Sequence, residues 1–472
     1  MTIFIYVLLG ILIIVLESRR RRGGHPLDAM TAFNCYYFVL FVFVPINVQW
    51  LGPDVVRQQY AYETFGPGNE GTAASLLLCY VLFCLGYRAK SAKSTQVVAP
   101  GRDRSFSLRD SAHVAKIIFL FGVFLMAVYV VQIGGITDVL SKASEVRSGE
   151  FVTESKYIGY RHLMQFSSDA FVLFVAVVLG KKVGKTKITT GDKVFLFCAS
   201  LFFLYYALST GGRRPLIYPI LLCFLIYASL GGRLKKTAVA AFALVFIIAG
   251  LGSFLGPVIL SGNVSAVFDV INLKSADWRG LAEVTYDVAT QGLADSYVHF
   301  VAAQKAALWQ FGFLPDIVNL PGDFFPSQIF GFERNQEFPD EVNKFMLGYR
   351  IPEGYSGGET LGLHGYLLVN FGYPGMFALF FILGLIYKWL HLRLKPANPK
   401  DAVSWLIYWW FVLAFFVYFR EGLLIFVLKE QLTWWITIAL LLHYRAKRAR
   451  TPSVHIADQG IQGISSGEAH EA

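Results

Sequence analysis

Apolar positions gather in long blocks separated by short polar gaps. Stretches 2–17, 30–51, 71–88, 113–133, 166–181, 193–210, 214–231, 237–257, 366–390, 402–419 and 423–444 are almost wholly apolar. A membrane-crossing helix needs about 20 such residues, so the pattern predicts about eleven spans, with soft ends on the short first and fifth blocks. One large polar interruption, 258–365, separates the eighth block from the ninth. The expected organisation is eight spans over 1–257, a large loop over 258–365, three spans over 366–450 and a polar, disordered tail over 451–472. No inverted internal repeat is visible.

Composition agrees with this pattern. Of 472 residues, 55% are hydrophobic and 16% charged, where soluble domains hold about 25% charged residues. The fold class is therefore all-α and polytopic. A net charge of +10 invites a nucleic-acid reading, but the positive residues cluster beside the spans. "RRRR" (19–22), "YRAKSAK" (87–93), "KKVGKTK" (181–187), "RLKK" (233–236), "HLRLKPANPK" (391–400) and "RAKRAR" (445–450) occupy alternate gaps. The positive-inside rule puts them in the cytoplasm, so the N-terminus lies outside and the C-terminus inside. The N-terminal apolar run has no small-residue cleavage site and is read as a retained span. Cys35, Cys79, Cys84, Cys198 and Cys223 fall inside apolar runs and show no metal-ligand or disulfide spacing.

The segment 258–365 is then exported. Its ionisable residues are mainly acidic, and 275–313 carries an apolar stripe (Trp278, Leu281, Tyr286, Leu293, Tyr297, Phe300) at helical spacing. Trp309, Phe311 and Phe313 suit a membrane–water boundary. Prolines and glycines make 320–343 irregular.

Candidate chemistry collects on the outer side. Arg213 and Arg214 fill the tight turn between two spans. Arg279 precedes Glu283 by one helical turn, and Arg350 begins a Gly-rich stretch containing Glu353, Tyr355, Glu359 and His364. Arg420 and Glu421 end the tenth span, and Lys429 and Glu430 lie within the eleventh. Charges at membrane depth are costly unless paired or facing water, which makes them functional candidates. Plainer roles stay open: head-group anchoring for Arg213 and Arg214, a surface ion pair of about 0.3–0.5 kcal/mol for Arg279–Glu283, a structural role for His364, and turn-shaping for Tyr355. Several arginines with no nearby Asp-x-Asp or His/Cys cluster suggest a metal-free anion site, because guanidinium matches phosphate with a rigid fork.

Three features resemble bacterial O-antigen polymerases of the Wzy type and, more distantly, the O-antigen ligases. "STGGRRPLIYPILLCFLI" (209–226) is similar to that family's Thr-Gly-Ser-Arg turn, with Gly212 where serine is common and Arg213 at the arginine. A large exported loop precedes the last three spans. "LHGYLLVNFGYPGMFALFFILGLIYKWL" (363–390) resembles the family's loop exit into an Asn-Phe-Gly…Gly span. The resemblance implies a GT-C-like glycosyltransferase in the bacterial inner membrane, acting on the periplasmic face without metal or other cofactor. It would polymerise undecaprenyl-pyrophosphate-linked repeat units into O-antigen, capsule or exopolysaccharide. Donor and acceptor lipids and the bilayer are the expected partners, a chain-length regulator is a further candidate, and nucleic acid is not.

On that reading Arg213 matches the turn arginine. Arg214, Arg279, Arg350 and Arg420 would join it on the pyrophosphate, these last three from the bottom-up argument alone. His364 and Glu359 compete as the base, and Tyr286, Trp309 and Tyr355 would bind sugars. The rival expectations are a ligase, a lipid-linked glycan flippase, a metal-dependent glycosyltransferase and a non-enzymatic scaffold. Residues 52–70 hold only scattered acids (Asp54, Glu63, Glu70), which disfavours the metal-dependent enzyme.

Overall fold

A computed structural model describes residues 1–22, 28–52, 59–89, 105–141, 163–210, 214–231, 296–305, 361–422, 428 and 431–450. These residues are helical throughout apart from short turns, with no strand among them. In chain order the helices are α1 (Thr2–Arg22), α2 (Ala29–Phe38, continuing through a π turn at Val39–Phe43 into Val44–Leu51), α3 (Gln59–Phe65), α4 (Glu70–Arg88), α5 (Leu108–Ile133), α6 (Ile136–Ser141), α7 (Phe166–Val183), α8 (Thr190–Ser209), α9 (Arg214–Ser229), α10 (296–305), α11 (Gly362–Leu394), α12 (Ala402–Glu421) and α13 (Leu432–Arg450).

Among the described residues, seven helices are long and apolar enough to cross a membrane: α1, α2, α4, α5, α8, α11 and α12. The chain is a multi-pass α-helical membrane protein. The expected spans at 166–181, 214–231 and 423–444 are also helical where described, but they differ from that standard. Helix α7 carries Asp169, Lys181 and Lys182, α9 is 16 residues long, and α13 begins only at Leu432. The expected span 237–257 lies outside the described residues.

Helix starts follow local chemistry. Asp28, Asn69, Ser107, Thr189 and Asp401 each accept a backbone N–H of the first turn, which satisfies donors a helix cannot pair internally. The π turn in α2 has a local cause. Pro45 has no N–H to close the next α-helical bond, and the Val44 N–H reaches back to Val39 O, five residues earlier.

Two groups of helices flank α12. Helices α1, α2, α4 and α11 pack together on one side, and α5, α7, α8, α9 and α13 on the other. Lipid hydrocarbon is as apolar as the helices, so close backbone approach must supply the cohesion. Helices α4 and α11 run parallel, and a Cβ at Gly86 would overlap the Phe381 carbonyl oxygen. A Cβ at Gly384 would overlap the Phe83 carbonyl in turn. Gly122 of α5 takes the same part against α7, where a Cβ would lie 2.7 Å from Ser167 N.

Thr2 donates to Glu70 Oε1 at 3.0 Å, joining the N-terminal ends of α1 and α4. That end is called outer here, following the charge rule. At the opposite end Arg20 reaches Asp28 at 2.5 Å and Glu17 at 3.4 Å, and Glu17 accepts from Thr31 and Asn34. Tyr408 accepts the Ala29 N–H at 2.7 Å, and Lys388 donates to the α4 terminal carbonyl of Ala89 at 2.8 Å. This inner network ties α1, α2, α4, α11 and α12 together where helix ends would otherwise leave polar groups unpaired.

Candidate functional site

The outer end is organised by α10, the described part of the helix expected over 275–313. Its residues 296–303 are buried on every face, so it is a plug within the bundle and not a helix lying on its surface. Tyr297 donates to Pro67 O at 2.5 Å and receives the Tyr6 hydroxyl at 2.9 Å. Gln304 donates to Tyr373 at 2.5 Å and accepts from Thr72, while Lys305 donates to Phe65 O. Small Ala303 lets α11 approach, lying 3.7 Å from where a Gly365 Cβ would sit. Helix α10 is thereby anchored to α1, α4 and α11.

His364 lies on the third residue of α11, inside the helix and not in a loop exit, and is 2% exposed. Aromatic rings enclose it: Phe41 at 4.3 Å between centroids, Phe380 at 4.5 Å and Phe300 of α10 at 5.6 Å. Phe41 sits on the π turn of α2, which brings that ring toward the histidine. Tyr37 donates to the Leu76 carbonyl at 2.8 Å. A carbonyl only accepts and a phenol has one proton, so His364 Nε2–H must be the donor across its 3.1 Å contact with Tyr37. The ring is therefore the Nε2–H tautomer, and Nδ1 carries the basic lone pair.

Arg420 ends α12 beside this cluster. Its neighbour Phe419 faces His364 at 6.4 Å, while the Arg420 side chain is exposed. The turn is closed by glycines. Gly422 has φ 76°, and a Cβ there would lie 2.6 Å from Gly362 O. Ser296 of α10 approaches the Arg420 carbonyl at 3.5 Å. Thus α10, α11 and α12 converge at one point of this end, beside the buried His364. A plainer account of Arg420 also holds: a cation in the last helical turn suits the helix dipole by about 0.3–1 kcal/mol.

Helices α8 and α9 flank the arginine segment, and residues 211–213 between them lie outside the described residues. Ser209 and Thr210 donate to Tyr206 O and Ala207 O, closing α8, and α9 opens at Arg214 with Pro215 in the first turn. Arg214 starts that helix, but its side chain and all of Arg213 lie outside the described residues. So do Arg279, Arg350, Glu359, Tyr286, Trp309 and Tyr355. Of the sequence-derived candidates, His364 and Arg420 are the ones whose side chains are described, the first buried at the start of α11 and the second exposed near the end of α12.

The motif "NFGYPG" (370–375) has a structural role. Gly372 at φ 65°, ψ −177° breaks α11, a conformation that favours glycine. Asn370 donates to Tyr366 O at 2.9 Å just before the break, and Pro374 follows it without an N–H.

Comparison with known proteins gives no match to a family model, a curated protein or a solved structure.

One residue escaped the sequence reading altogether. Asp169, 1% exposed, lies in the first turn of α7. Thr433 and Gln165 are its polar neighbours, yet neither carboxyl oxygen meets hydrogen-bond geometry with any group. The α7 dipole offsets about 0.3–1 kcal/mol, against a burial cost of several kcal/mol for a charge. A single acid within the apolar block 166–181 is its signal in the sequence.

Proposed function

We propose that this chain is a glycosyltransferase that extends undecaprenyl-pyrophosphate-linked repeat units at the outer membrane face, in the manner of the O-antigen polymerases it resembles. The observation that carries the reading is the convergence of α10, α11 and α12. Helix α10 packs beside His364 and the Arg420 backbone carbonyl, so an outer chamber would have fixed walls beneath a large loop. The sequence spacing of α8 and α9 supports it, because α8 ends at Ser209 and α9 begins at Arg214.

In this mechanism arginines hold the donor pyrophosphate. The acceptor hydroxyl loses its proton to a base, its oxygen bonds to the donor's anomeric carbon, and the bond from that carbon to the pyrophosphate breaks. Undecaprenyl pyrophosphate departs with the bonding electron pair. Fixed donors aimed at that developing charge contribute most where water is excluded. The rings around His364 favour Glu359 as base, with His364 positioning α2 against α11 through Tyr37. Purified protein given a lipid-linked repeat unit should yield laddered products on a gel, with and without chelator; absence of any ladder removes the polymerase reading. A flippase is the second reading, and Asp169 is what favours it, since intramembrane acids commonly mark transport pathways.

A further inference from the structure

The lipid-facing residues at the inner end of α11 follow a fixed order. Ile382, Ile386, Trp389 and Arg393 recur at i, i+4, i+7 and i+11, which is one face of a helix, and all four are exposed. Gly384, whose Cβ would overlap Phe83 O, marks the opposite face, packed on α4. Along about 16 Å of axis the exposed face passes from aliphatic to aromatic to cationic. Leu392, 57% exposed, widens its apolar part, and Lys395 at the helix end adds a second exposed cation. A phospholipid has the same order: acyl chain, carbonyl level, phosphate. Indole rings settle at the membrane–water boundary, and arginine reaches past it to the head groups.

Charge separates this face from other lipid-facing helices at the same end. Glu17 lies in the inner part of α1, Asp110 in the first turn of α5 and Asp192 in the first turn of α8. From Ile382 to Lys400 the chain holds Lys388, Arg393, Lys395 and Lys400 and no acid. Lys388 is turned to α4, where it donates to Ala89 O at 2.8 Å. Arg393 and Lys395 therefore supply the charge next to the exposed apolar face. A zwitterionic head group would bring its own ammonium to these cations, whereas an anionic one brings net negative charge.

We propose that the inner end of α11 binds an anionic phospholipid, with Arg393 and Lys395 on the phosphate, Trp389 at the carbonyl level, and Ile386 and Ile382 along an acyl chain. The ligand is a lipid and not a free phosphate, because the aliphatic residues in line with Arg393 offer nothing to a soluble anion. Basic residues beside a membrane attract anionic lipid, each by about fivefold in affinity. The site is independent of whether the outer face polymerises or transports glycans.

Tryptophan quenching tests it with the full chain in phosphatidylcholine nanodiscs. A minority of either phosphatidylglycerol or phosphatidylcholine carries bromine on its acyl chains, at equal mole fraction. The Trp389 signal is the difference between wild type and Trp389→Phe. Relative affinity at that residue should favour phosphatidylglycerol at least about tenfold, and Arg393→Gln should lower the preference about fivefold. Equal quenching by the two lipids overturns the site, as does a preference that survives Arg393→Gln combined with Lys395→Gln. If the double variant does not fold, wild type in about 1 M salt decides, where the screening length is about 3 Å. The preference should collapse there, and a preference that persists overturns the proposal.

Discussion

His364 Nε2 lies 3.1 Å from the Tyr37 hydroxyl, whose proton is committed to the Leu76 carbonyl 2.8 Å beyond. This relay joins α11 to α2 and α4 through one imidazole, and it separates two roles for that ring. A positioning ring needs only its Nε2–H donor, which glutamine reproduces in place. A base needs Nδ1, which glutamine lacks.

His364→Gln should therefore retain most of the Tm and a substantial part of chain growth. His364→Ala should lose about 2–4 kcal/mol, from a cavity among aromatic rings and a phenol left without its donor. If both variants fold and both are dead, with the same loss of a pH inflection, His364 is the base and Glu359 is not.

Arg420 stands on the exposed rim of the same cluster. Arg420→Ala should leave the unfolding free energy within about 0.5 kcal/mol of wild type, as surface changes usually do. Product formation should nevertheless fall about 10²–10³-fold if the guanidinium meets developing charge. Arg213→Ala should abolish chain growth with normal expression, and Arg213→Lys should recover little, because an ammonium lacks the fork. Full activity in either alanine variant returns that arginine to a head-group anchor or a helix-dipole cap.

The inner network makes a prediction about acid. Burial works against the charged form of Asp28, but the Thr31 backbone donor and Arg20 outweigh it and hold the carboxyl below its ordinary 3.8. A carboxylate depressed in the folded state stabilises at pH above its unfolded value, and that contribution disappears as pH falls through the lower folded value. Asp28→Asn should lower stability at neutral pH by about 1–2 kcal/mol and flatten the acid limb of the Tm profile. A variant with the wild-type acid limb would show that Arg20 is held by Glu17 alone.

The span pattern was legible because membrane helices satisfy their own backbone and must be apolar, so hydropathy reports them directly. Nearly every expected block that is described is helical. What hydropathy cannot report is a polar residue buried within a span: α7 holds Asp169, 1% exposed, inside its apolar block. Nor does it report which side a helix packs on. The stripe through Tyr297 and Phe300 promised one apolar face, yet α10 is enclosed all round, because Tyr297 and Gln304 find partners in α1, α4 and α11. The glycines before His364 suggest a loop exit, whereas α11 extends back to Gly362. That glycine's φ of 62° shows how the entry is made.

Glycine placement between α4 and α11 gives the sharpest structural test. Gly86 and Gly384 sit on the facing sides of two parallel helices, each against the other's backbone, where no side chain end is free to swing aside. Adding a methyl group at either position must therefore push whole helices apart. Backbone displacement also pulls on Lys388, whose ammonium closes the last turn of α4, and on Tyr387, which donates to Ala29 O at 2.8 Å. Gly86→Ala and Gly384→Ala should each cost about 1–3 kcal/mol, and the double variant should cost less than their sum because the first displacement makes room for the second. Gly375→Ala is a poor control, since its Cβ would meet Phe371 within the same helix. Gly191→Ala, at an open helix start where the nearest atom is Thr189 Oγ1 at 3.8 Å, should be neutral. Size-exclusion elution and Tm in detergent read all four proteins. Strict additivity of the two interface variants would mean that the helices yield separately, and the shared α4–α11 seam would not be the spine of this half of the bundle.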